Sequence, residues 1–96
     1  HDYDQFLELA QRDHQRFPRD RTKAFQVASA YACKYADTGE DHFKQSALEQ
    51  LASMGEDQSS EETEYRQRIM HRIETRRIMA HKQFHKEFPN GWKPAE

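Results

Sequence analysis

From Ser59 to Phe88 the chain contains neither glycine nor proline, and Pro89 closes the run. Ser59 with Glu62 fits the S-x-x-E capping box, in which each side chain satisfies the other's free backbone N–H. Thr63 to Lys86 are mostly good helix formers, and Pro89 forbids continuation. A helix over 60–87 would be roughly 40 Å long at 1.5 Å per residue. That exceeds the diameter of a small domain, so such a helix must be a spine for the others or a projecting arm.

With 96 residues there is room for one domain, 1–96, with a modest core. Hydrophobic and charged residues are 34% and 33%, so the apolar positions must be well patterned if they are to cohere. Six Phe, four Tyr and one Trp supply bulk. Val27 is the sole valine and no strand-like alternation occurs. The predicted class is all-α: a small four-helix domain with a long basic C-terminal helix. One cysteine, Cys33, rules out an internal disulfide and favours a reducing, cytoplasmic compartment. No apolar run approaches the ~20 residues of a membrane span.

The first helix is predicted over 3–16, capped by Asp2 or Asp4, with Tyr3, Phe6, Leu7, Ala10, His14 and Phe17 on one face. Phe17-Pro18 ends it, because the residue before proline is pushed out of helical geometry. Asp20 caps a second helix, 21–36, whose alanines on several sides suit a buried centre. Gly39 offers the left-handed stop. A third helix spans 41–54, and Gly55 to Ser60 reads as a mobile linker. The fourth covers 60–87, and 88–96 is a tail. Phe6, Phe25, Ala28, Tyr31, Phe43, Leu51, Ile69 and Ile73 are the expected shared core.

Charge is uneven. Residues 1–64 hold 14 acidic against 7 basic side chains, and 65–96 hold 3 against 8. The asymmetry serves either internal packing of an acidic part on a basic helix or two charged faces for a partner. On the fourth helix, Tyr65, Ile69, Ile73, Ala80 and Phe84 form the inward stripe. Arg68, Arg72, Arg76, Lys82 and Lys86 form a basic edge, while Ile78 and Met79 fall off the stripe. Arg and Met with an exposed Ile match the composition of protein-binding surfaces. Trp92, beyond the Asn90-Gly91 turn, either folds back over the core or anchors a partner. The candidate partner-binding set is therefore Arg68, Arg72, Arg76, Ile78, Met79, Lys82 and Trp92.

Other chemistries are less well supported. His81 and His85 are one turn apart, with His71 and Glu74 near the same face, yet H-x-x-x-H alone does not complete a metal sphere. No metal or other cofactor is expected. The paired carboxylates sit on polar faces with nothing to raise a pKa, so no enzyme activity is predicted. Nucleic-acid binding through the arginines is the alternative, weakened by a net charge of −2. Ile69 to Phe88 carries more apolar surface than three short helices cover, which allows a homodimer through the distal half of the last helix.

The segments DYDQFLELAQRDHQRF and HKEFPNGWKPAE, with the size and helical reading, resemble small early proteins of lambdoid phages. Among these the chain is similar to the anti-RecBCD accessory proteins. The resemblance implies a non-enzymatic polypeptide in the host cytoplasm that binds the RecBCD helicase–nuclease. It would alter the nuclease activity and the response to recombination signals.

Overall fold

The computed structural model describes residues 2–94. The fold is all-helical: α1 (Tyr3–Arg16), α2 (Arg21–Thr38), α3 (Asp41–Ser53), α4 (Ser60–Thr75) and α5 (His81–Glu87). No helix is long and apolar enough to cross a membrane among the described residues.

Local chemistry explains most of the boundaries. The Asp2 carboxylate accepts from the Gln5 N–H at 2.9 Å, and Asp20 from Lys23 at 3.3 Å. Gly39 closes α2 at φ +73°, with its N–H on the Tyr35 carbonyl at 2.7 Å. The Ser59 hydroxyl accepts from the Glu62 N–H at 3.1 Å. Glu62 departs from the capping box, because its carboxylate takes the Gln58 N–H and a double contact from Arg21.

Helix α2 is the centre, packed against α1, α3 and α4. Ala28, Ala30 and Ala32 have no exposure, and their small side chains let neighbours approach on every side. One side joins Phe25, Ala28 and Ala32 to Ala47 and Leu51 of α3 and Ile69 and Ile73 of α4. The other joins Val27 and Ala30 to Ala10 of α1, with Phe6 and Leu7 at the margin. The core is thus two clusters rather than one, with Tyr31 touching both. Phe43 belongs to neither and lies half-buried beneath the Lys34 ammonium.

The long fourth helix is corrected. Helix α4 ends at Thr75, Arg76 turns left-handed at φ +55°, and the chain doubles back into the short α5. The Thr75 hydroxyl donates to the His71 carbonyl at 2.8 Å and accepts the Arg77 N–H at 3.2 Å, closing the helix without glycine. The molecule measures 34 × 31 × 25 Å, so a rod of roughly 40 Å would project from it. Projection would leave Met79 and Phe84 in water, whereas the turn buries both. Each such burial stabilises by about 1.5–3 kcal/mol. A left-handed non-glycine residue costs only about 1–2 kcal/mol. Burial therefore wins.

Arg76 also gains contacts in its strained position. It donates to the Ala36 carbonyl at 3.3 Å and lies over the Tyr35 ring at 5.8 Å, a cation at the C-terminal end of α2. The segment expected to be a mobile linker is likewise tied down. Arg21 donates to the carbonyls of Met54 and Glu56, and Arg66 to those of Leu51 and Gly55.

Candidate functional site

Thr22, Phe25, Gln26 and Ser29 recur at one-turn spacing along α2, and Tyr65, Arg68, Ile69 and Arg72 do the same along α4. Where these two faces meet they enclose a pocket of about 180 Å³. Phe25 and Tyr65 form one wall, their ring centres 5.8 Å apart. Arg72 is 6% exposed and donates through Nη1 to the Ser29 hydroxyl at 2.7 Å and carbonyl at 3.2 Å. Its Nε–H is buried without a partner in the protein, and so is the Nε–H of Arg68.

Two guanidinium groups are thus held together with no carboxylate between them. Arg21 and Arg66, which also reach across to other elements, each have one: Glu62 at 2.9 Å and Asp57 at 2.8 Å. Among the described residues, no acid lies within ion-pair distance of Arg68 or Arg72. Burial, and then the Arg72 charge, push the Arg68 guanidinium below its ordinary range, though it stays protonated at neutral pH. Glu64, one turn before Arg68, is the natural helical partner. Its carboxylate is instead engaged by His81 and His85 of α5, at 2.7 and 2.6 Å.

An unpaired buried donor costs about 1–3 kcal/mol, and more when charged. Two guanidinium groups without an acid can accept an anion, carboxylate or phosphate, which arginine binds bidentately. Phe25, Tyr65 and Ile69 complement the apolar stem of such a group. The volume is below the ~300 Å³ at which small-molecule sites begin, so it suits one side chain or one anionic group rather than a cofactor. The lining holds donors and hydroxyls but no carboxylate or imidazole to accept a proton.

The sequence-predicted residues therefore separate. Arg68 and Arg72 come together in the pocket, with Arg72 buried rather than on an open edge. Met79, placed off the inward stripe by helix phase, is 8% exposed because the turn at Arg76 rotates it inward. Ala80, assigned to that stripe, is exposed. Ile78 is 43% exposed in the connection between α4 and α5, where helix phase no longer applies, and Lys82 is exposed on α5. Arg76 is committed to Tyr35 and Ala36.

Trp92 folds back. Its backbone N–H donates to the Gln67 Oε1 at 3.1 Å, and its ring meets His71 edge-on. Phe84 and Phe88 close the same imidazole from other sides, at 5.5 and 5.1 Å. Of the apolar surface that allowed a homodimer, Ile69, Ile73, Met79 and Phe84 are buried within the chain. Cys33 is a packed thiol, pushed up by burial.

Thr22, Gln26, Ser29 and Tyr65 were missed as lining residues. Ser29 carried a signal, being the one serine within the otherwise apolar and aromatic run 27–33. Glu64 was missed beside His81 and His85, since only the reversal after Thr75 brings α5 to it. In comparisons with known proteins, the chain matches no protein-family profile, no curated protein and no solved structure.

Proposed function

We propose that this chain is a non-enzymatic protein-binding module that accepts an acidic side chain of its partner in the α2–α4 pocket. The carrying observation is that Arg68 and Arg72 both line this pocket, whose walls hold no carboxylate, and that neither has an ion-pair partner among the described residues. The partner's carboxylate pairs with both guanidinium groups while its methylene stem rests on Phe25, Tyr65 and Ile69. Ile78 and Lys82 add exposed surface outside the pocket. A carboxylate is favoured over a nucleic-acid phosphate because one narrow pocket, rather than a basic stripe, holds Arg68 and Arg72.

The resemblance to the anti-RecBCD proteins gives a candidate of this class, the RecBCD helicase–nuclease of the host cytoplasm. Immobilised chain is mixed with purified RecBCD, and in parallel with bacterial lysate treated with nuclease. The reading expects a protein retained by the wild type and lost with Arg68→Gln. Retention that weakens steeply with salt and disappears after nuclease treatment would identify nucleic acid as the ligand instead. Capture that is indifferent to Arg68→Gln would place the binding surface elsewhere.

A further inference from the structure

The reversal of the chain after Thr75 assembles a second cluster. Glu64, in the second turn of α4, meets His81 and His85, which stand one turn apart on α5. The Nε2 atoms of the two histidines lie 2.7 and 2.6 Å from the same oxygen, Glu64 Oε1. The imidazole rings are 4.7 Å apart and inclined by 37°, and the three ligating atoms all fall within 4.8 Å of one another. Both histidines are about half exposed, at 54% and 56%, so an ion has open access to them.

We propose that Glu64, His81 and His85 bind a divalent transition-metal ion, with zinc the best match to the donor set. Two imidazole nitrogens and one carboxylate oxygen are borderline ligands that suit zinc, and disfavour calcium and magnesium, which prefer all-oxygen shells. Bonds of about 2.0–2.1 Å to a tetrahedral zinc separate ligand atoms by about 3.3 Å. Rotation of the exposed side chains moves the two histidine nitrogens outward from Glu64 Oε1 to that spacing. Water takes the fourth position from the solvent side.

Because the ligands come from two helices, the ion fastens α5 to α4. It secures the segment that carries Phe84, Phe88 and Trp92 over His71. Its role is a clamp on the folded-back end, independent of whether the Arg68–Arg72 pocket binds a carboxylate.

The test is titration of the chain, free of any histidine tag, with zinc chloride in a calorimeter, and with cobalt chloride in a spectrophotometer. One ion per chain is expected, with tetrahedral cobalt absorption in the visible and a zinc-dependent rise in melting temperature. Loss of a ligand should weaken binding at least as much as loss of an outer-shell partner, roughly tenfold or more, in His81→Ala, His85→Ala and Glu64→Gln. His42→Ala is the control that leaves affinity unchanged. Circular dichroism in chelator establishes that each variant retains its helices. Absence of saturable binding by the folded wild type, or equal affinity in folded His81→Ala and His85→Ala, would overturn the proposal.

Discussion

Trp92 meets His71 edge to face, ring centres 5.2 Å apart and planes at 89°, so the C-terminal segment covers a buried imidazole. The contact joins residues separated by the whole of α5, and it exists only because α4 stops at Thr75. Truncating Trp92 should therefore act on stability. Trp92→Ala is expected to cost about 1–3 kcal/mol, below the range for a fully buried Trp because the ring is half-buried. A chemical-denaturation curve gives the value, and an unchanged midpoint would mean that the segment does not cover His71 in solution.

His71 links the same cluster to pH. Burial first, then the Arg77 charge, hold its imidazole below the ordinary value; Glu87 pulls the other way, and Arg72 adds a smaller push down. The unfolded chain consequently takes up a proton at about pH 6.5, before the folded chain does. This contribution to stability is present above pH ~6.5, falls as pH drops through that value, and levels off once the folded imidazole is protonated as well. His71→Leu should flatten this part of the stability profile. A profile parallel to wild type between neutrality and mild acid would contradict the assignment.

Arg21 and Glu62 act in the same direction at lower pH. The Arg21 hydrogen bonds, then the Gln58 N–H, hold the Glu62 carboxyl below the usual carboxylate range. Stability from this pair is present above the unfolded value near pH 4.3 and is lost as pH falls through the lower folded value. Glu62→Gln should remove that part of the acid unfolding limb, as followed by circular dichroism during acid titration.

Ile73 lies at the junction of α2, α3 and α4 and is 4% exposed. Ile73→Ala should cost about 2–5 kcal/mol, a large share of the stability of a domain this size. A loss under about half a kilocalorie, the level of surface changes, would mean that this face of α4 is not packed.

Residues 64 and 85 report directly on the reversal. On one continuous helix their 21-residue separation would span about 31 Å. In the folded-back chain their side chains touch. Spin labels at these positions should give a short distance by electron paramagnetic resonance, and a distance near 31 Å would restore the straight helix.

What was legible in the sequence follows physical range. Asp2, Asp20, Ser59, Gly39 and Pro18 act within a turn of themselves, and the boundaries they set were readable. The break at Arg76 has no glycine or proline to announce it. It is imposed by Met79, Phe84, Phe88 and Trp92, which need a surface to cover, and local propensity favours helix through the same residues. Arg68 and Arg72 were identifiable as candidates because they share an edge of α4. Their lack of acids was not, since it depends on Ser29 across the interface and on Glu64 being drawn away by α5.

The central claim is that Arg68 and Arg72 form a receptor for a carboxylate, and the Nε–H resonances of the arginines test it most directly. They are recorded by nitrogen-15 NMR and assigned from Arg68→Lys and Arg72→Lys. Titration with a short glutamate-containing peptide should shift those two resonances along saturable curves, while exposed Arg12 and Arg16 drift little. Equal, non-saturating drift of all the arginine resonances would contradict the account.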